Sequence, residues 1–243
     1  MGNNVRNYEL LESLNGSKRA KFDIDCGTGS LFVSQLFGEE QGLAKGVLQY
    51  REQQGEPDRS VNTNSGQTEL RLKAGRRQPG FRFPWSACGG KTDWKIEINP
   101  TVTWDIDAHS NGGNVKLDLA GLAVSHLSAE SGGGSVDMVL PDRVANLTGS
   151  AKSGAGNVSI DVSAVEGSNA IDVTSGAGNV LVRLPKDVAA RIYASTGWGK
   201  VNLDPRFAKI DKNIYQSPDY GGAVNKMEIA LKSGAGNVIV NTK

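Results

Sequence analysis

Ser153-Gly-Ala-Gly-Asn-Val158 recurs unchanged at 175–180 and again at 233–238. Looser copies of the phrase open at Cys26, Ser65, Ser110, Ser131 and Thr196. From Ser110 to Thr196 the openers step by 21, 22, 22 and 21 residues. The step from Ser65 to Ser110 is 45, two periods, and a degenerate copy beginning Cys88-Gly-Gly-Lys91 fills the gap. The openers therefore predict nine turns. The remaining steps of 39 and 37 are read as one period each, carrying an excursion. A period of this length announces a repeat architecture before it announces any chemistry.

The residues after each turn are as regular as the turn. Leu31, Leu70, Val115, Val136, Val158, Val180, Val201 and Val238 stand five past the opener. Val33, Leu72, Leu117, Met138, Ile160, Val182, Leu203 and Val240 stand seven past it. The residue between is mostly polar or small, the alternation of a half-buried strand. Upstream, Phe22, Val61, Ile106, Leu127, Ile171, Ile192 and Ile229 lie four before their openers. Each turn thus joins two strands with one apolar face each. The glycines are expected to supply positive φ at a sharp corner. Asn114, Asn157, Asn179 and Asn237 share one register, and stacked coils would line them up as an amide ladder. A phosphate cradle is excluded, because it needs a third glycine and a following helix. A second repeat, Leu140-Pro-Asp-Arg-Val-Ala145 and Leu184-Pro-Lys-Asp-Val-Ala189, closes one strand and opens the next, with Asn99-Pro-Thr-Val-Thr-Trp104 as a weaker copy.

These patterns predict an all-β, repetitive β-solenoid (β-helix-like) forming a single domain over residues 1–243. Residues 1–17 are its N-terminal lead-in or cap, and 73–87 and 204–228 are excursions. An antiparallel β-roll or meander is the alternative that alternation alone leaves open. Identical residues in one register favour stacking. The end strands need a cap, from 204–228 or from a neighbouring chain or domain.

Composition narrows the function classes. A net charge of +1 argues against nucleic-acid binding. Aromatics at 6% suit slim coils filled by Val, Ile and Ala. No run approaches the 18–20 apolar residues of a membrane span. Met1-Gly-Asn-Asn4 lacks the basic and apolar regions of a signal peptide, so the expected location is cytoplasmic unless an anchor lies outside this sequence. Cys26 and Cys88 take the serine place of the turn. With a whole coil between them their Cα atoms would exceed the ~7 Å disulfide limit, and two free thiols are expected.

Candidate contact residues are few. Arg71, Lys73, Arg76, Arg77 and Arg82 fall close together, with Phe81, Phe83 and Trp85 interleaved. This basic-aromatic excursion suits an anionic surface such as lipid headgroups or wall polymers. The bland alternative is a lid whose arginines are simply solvated. Trp198 replaces the small residue at a turn apex and should be exposed, as a contact or packed on a neighbouring loop. The binding-surface residues expected are therefore Arg76, Arg77, Arg82, Phe83, Trp85 and Trp198. His109 and His126 lack a second ligand at metal spacing. Asp23/Asp25 and Asp105/Asp107 share outer strand faces, where solvation is the default. No catalytic constellation, cofactor or metal site is expected.

The succession of Gly-x-Gly turns, the Trp-x-Ile-x-Ile-Asn-Pro segment at 94–100 and Leu117-Asp-Leu-Ala-Gly-Leu122 resemble the bacterial toastrack family. These are the adhesin-like domains in the C-terminal parts of LiaF-type cell-envelope stress proteins. The resemblance covers residues 18–243. It implies a repetitive all-β domain without known catalysis, beside membrane segments and on the extracytoplasmic face. It carries no catalytic residue onto this chain. The function expected is a non-enzymatic binding or scaffold domain of the envelope, in stress sensing or adhesion. Partners would be a membrane protein or an anionic envelope polymer or lipid. The rivals are a carbohydrate-active enzyme on a β-helix and a structural module self-associating through its end strands.

Overall fold

A computed structural model describes residues 4–38, 41–75, 92–142 and 145–243 of the chain. The repeat unit is clearest in mid-chain. Strand β8 (Thr103–Ser110) runs into a glycine corner and emerges as β9 (Val115–Asp118). The same coil is repeated by β10 (Ala123–Ser131) with β11 (Val136–Val139), β12 (Thr148–Ser153) with β13 (Val158–Asp161), and β14 (Ser168–Ser175) with β15 (Val180–Leu184). The first strand of each coil joins one sheet and the second joins another. Stacked strands are parallel and in register: Val136 lies beside Val115 and Val158, and Ser153 beside Ser131 and Ser175. Parallel pairing excludes the meander and gives the solenoid.

The coil pairs β2 (Arg19–Asp25) with β3 (Ser30–Gln35), β6 (Gln67–Lys73) with β7 (Asp93–Ile98), β16 (Ala189–Thr196) with β17 (Val201–Leu203), and β20 (Lys226–Ser233) with β21 (Val238–Thr242) complete the stack. Their order departs from chain order at both ends. One sheet runs β7-β3-β9-β11-β13-β15-β21-β17, and the other runs β6-β2-β8-β10-β12-β14-β20-β16. The last coil in sequence is inserted beneath the one before it, and the first coil lies beneath the second. This is why the terminal steps of 39 and 37 are not clean periods.

Antiparallel strands close the ends. The first sheet extends through β4 (Gly42–Arg51) to β1 (Val5–Ser13), so the N-terminal lead-in is an edge strand. The second sheet ends at β5 (Asp58–Asn64) on that side and at β19 (Ile214–Gln216) and β18 (Ala208–Asp211) on the other. The excursion after residue 203 thus covers the end of one sheet, as a cap should. The Ser65 phrase is not a corner. It is the tight turn of the β5–β6 hairpin, with Ser65 at φ 50° and Gly66 at φ 79°. Leu70 and Leu72 still point inward and are fully buried. Seven glycine corners join the two sheets among the described residues; of the nine turns expected, the Ser65 phrase is the hairpin and the one opening at Cys88 lies outside the described residues.

At the first corner Gly27 has the expected positive φ, 63°, but the later corner glycines are needed for a different reason. Gly134, Gly156 and Gly178 are absent from the positive-φ set. Instead a Cβ on Gly156 would lie 2.3 Å from the Gly134 carbonyl oxygen, and one on Gly178 would lie 2.2 Å from that of Gly156. Only a missing side chain lets successive corners approach to a strand spacing. The opening serine locks the column. Ser153 Oγ accepts the Gly156 N–H at 2.7 Å and donates to the Gly134 carbonyl at 2.8 Å. Ser110, Ser131, Ser175, Ser233 and Thr196 each donate to the same place one coil below. The asparagine ladder is present, but it runs from side chain to backbone. The Asn157 Oδ1 accepts the Asn179 N–H, Asn179 accepts Asn237, and Asn237 accepts Lys200, all within 2.8–2.9 Å.

Between the sheets lies an aliphatic core that includes Val158, Ile160, Val180, Val182, Val238 and Val240, all fully buried. Burying each such side chain contributes roughly 1.5–3 kcal/mol, so a coil depends on its neighbours. The end near β1 is closed by Glu12, 5% exposed, which pairs with the Arg59 guanidinium of β5 through both oxygens.

Candidate binding surface

The corners line one edge of the stack, and their apex residues are small: Thr28, Gly112, Gly133, Ala155, Ala177 and Ala235. Trp198 sits on the final coil, where no further corner follows, and is 85% exposed. Its backbone N–H still joins the column through the Gly234 carbonyl at 2.9 Å.

The other expected contact residues, Arg76, Arg77, Arg82, Phe83 and Trp85, lie outside the described residues. The flanks of that segment are placed. Ala74 donates to the Asp25 carbonyl, and the Thr92 carbonyl accepts the Ser30 N–H, both beside the Cys26–Gly29 corner. Both flanks therefore belong to the coil farthest from Trp198. Seven strand spacings separate the two coils, about 34 Å at ~4.8 Å each. Trp198 and the described flanks Ala74 and Thr92 lie on corners of opposite end coils. Arg71, at the start of the basic run, is engaged: it lies 2.5 Å from Glu69 and 3.9 Å from Asp23.

The paired aspartates fall on the outer face of the second sheet, as alternation predicts, and neighbouring strands supply their counter-ions. Lys21 lies 3.4 Å from Asp107, Arg19 lies 3.9 Å from Asp105, and Asp25 accepts the Gly27 N–H at 3.0 Å. His126 approaches Asp107 at 3.9 Å, while His109 meets Asn111 at 3.1 Å. Among the described residues no three His, Cys, Asp or Glu side chains gather as metal ligands. Cys26 is a free, buried thiol directed at the carbonyls of Gly29 and His109. Burial pushes its pKa up to about 11. Strand order makes its coil the immediate neighbour of the β6–β7 coil, so no coil stands between them as the spacing argument required. Cys88 lies outside the described residues.

One feature had no sequence signal. Residues 217–225 lie against the outer face of β14, β16 and β20 and enclose a groove of about 450 Å³. Arg191, Tyr220, Lys226, Glu228, Ser168 and Asn169 line it. The Arg191 guanidinium stands 4.6 Å from the Tyr220 ring centroid and the Lys226 ammonium 5.5 Å from it. Tyr220 donates its hydroxyl proton to Glu228 at 2.7 Å. Burial, then the hydrogen bond to Glu228, pushes the phenol up to about 12. Two cations gathered on one ring, with one carboxylate occupied by the phenol, make a polar groove suited to an anionic or hydroxyl-rich group.

Residues 1–161 match the profile of the N-terminal domain of toast_rack. This chain belongs to the toast_rack family. Residues 148–240 of this toast_rack protein also match the profile described as cell wall-active antibiotics response LiaF, C-terminal. No curated protein matches the chain. Among solved structures, a "putative cell adhesion protein" from Clostridium sporogenes superposes with TM-score 0.69 at 23% identity, covering 99% of this chain and 100% of the other. That likeness is one of fold. A "putative adhesin" from Bacteroides fragilis aligns over 98% of both chains at 13% identity, but with TM-score 0.30. No helix among the described residues is long and apolar enough to cross a membrane.

Proposed function

We propose that this toast_rack chain is a non-enzymatic binding or scaffold module of the bacterial cell envelope, acting on its extracytoplasmic face in stress sensing or adhesion. The observation that carries the reading is the LiaF C-terminal match over residues 148–240. Those residues hold the exposed Trp198 and the Arg191–Tyr220–Lys226 groove. The partner is an anionic envelope polymer or lipid, or a membrane protein. The carboxylates of the outer face sit in cross-strand ion pairs, which supports binding over hydrolysis.

The test compares co-sedimentation of wild type with phosphatidylglycerol vesicles and with isolated wall polymer against two variants. One changes Arg76, Arg77 and Trp85 to alanine; the other changes Arg191 and Lys226 to alanine. Each cation held near an anionic surface is worth about 1 kcal/mol and each variant removes two, so at least one variant should lose roughly thirtyfold in binding. Unchanged binding in both would remove these surfaces. Turnover of an anionic polysaccharide by the wild type would replace this reading with the enzymatic one.

A further inference from the structure

The two ends of the stack are closed unequally. Beyond the β6–β7 coil, the first sheet gains β4 and β1 and the second gains β5. Beyond the β16–β17 coil, the second sheet gains β19 and β18, and the first gains nothing. Sheet one therefore stops two strands short of its partner, leaving a notch about 9.6 Å deep, two strand spacings, with β17 as its floor.

The side chains register this step. At the position five past the opener, Val115, Val136, Val158, Val180 and Val238 are fully buried, whereas Val201 of β17 is only half-buried. Leu203 repeats the contrast with Val182 and Val240. The backbone is open as well. Val238 donates to the Lys200 carbonyl at 2.9 Å, and Asp204 donates to the Val240 carbonyl at 2.8 Å. In a parallel ladder this phase turns residues 200, 202 and 204 toward β21. The N–H and C=O groups of Val201 and Leu203 then face the notch. Lys200 before the strand and Pro205 after it limit the offered edge, two devices that discourage indiscriminate sheet growth.

We propose that the β17 edge receives an extended strand of another protein by β-augmentation. The added strand hydrogen-bonds Val201 and Leu203 and lays alternate apolar residues over their half-buried side chains. A second copy of this chain does not supply it by end-to-end stacking. In such a stack β18 would meet β5 while β17 was still one strand spacing, about 4.8 Å, short of β1. The exposed Trp198, on the corner leading into β17, borders the same edge. This inference stands independently of the envelope role.

The probe is an acetylated heptapeptide of alternating threonine and valine, titrated to millimolar concentration. Amide hydrogen exchange is read by NMR. Protection confined to Val201 and Leu203 is expected. Leu203→Pro removes an N–H that no internal bond uses and should weaken peptide binding about fivefold or more with the stack intact. Asn202→Lys, on the outer face, should leave binding unchanged. Absence of protection at Val201 and Leu203, or protection at β1, β5 or β18 instead, overturns the proposal. So does protection of β17 that rises with protein concentration alone, which would assign the edge to a second copy.

Discussion

Gly178 shows how one residue position carries the architecture. Its missing side chain is what lets the Gly156 carbonyl oxygen approach, at 2.2 Å from where a Cβ would stand. Gly178→Ala should destabilise the fold by about 2–3 kcal/mol, since overpacking against backbone cannot relax by side-chain rotation. Ala177→Ser, at the neighbouring exposed apex, should be nearly neutral; urea denaturation of the two variants measures the difference. Cys26 gives a residue-scale test of pH. Its folded pKa of about 11 lies above the ordinary 9.0 because the thiol is buried. The folded state therefore holds the proton more tightly, and the stability this contributes is complete below pH 9 and lost between pH 9 and 11. In a Cys88→Ser background, a thiol reagent at pH 8 should modify Cys26 only after unfolding. Rapid modification of the native protein would contradict its burial.

At the scale of strands and corners, the alternation of Val158, Ile160, Val180 and Val182 made the inward faces legible, because only one side of each strand is buried. The corners were legible too, but not their cause. A glycine required by a neighbour's carbonyl reads in the sequence the same as one required by positive φ. The Ser65 phrase reads as a corner because a hairpin turn and a coil corner share small residues and flanking alternation. The coil as a unit yields a further prediction. Deleting 154–175 joins Ser153 to Gly176 and restores the phrase, and β12 inherits the neighbours of β14 in register. The shortened chain should fold with unchanged strand content by circular dichroism. Deleting half a period instead, residues 154–164, removes the corner glycines and β13 and should give an unfolded or aggregated product.

The whole molecule is where the sequence was least legible. Stack order, the Glu12–Arg59 closure and the Tyr220 groove arise from residues distant along the chain, with no local pattern to mark them. Arg59→Ala would leave the Glu12 carboxylate buried without its partner, and a loss of about 3 kcal/mol is expected in thermal or urea unfolding. The central claim is that glycine corners form one column in which the last coil in sequence lies beneath the one before it. Engineered disulfides test it most directly, in a background with Cys26 and Cys88 replaced by serine. Ala177 and Ala235 lie on adjacent coils, about 4.8 Å apart, within reach of a disulfide, whereas Ala177 and Trp198 are two coils apart, about 9.6 Å. Cysteines at 177 and 235 should cross-link on mild oxidation while cysteines at 177 and 198 stay reduced; the reverse result would contradict the stack.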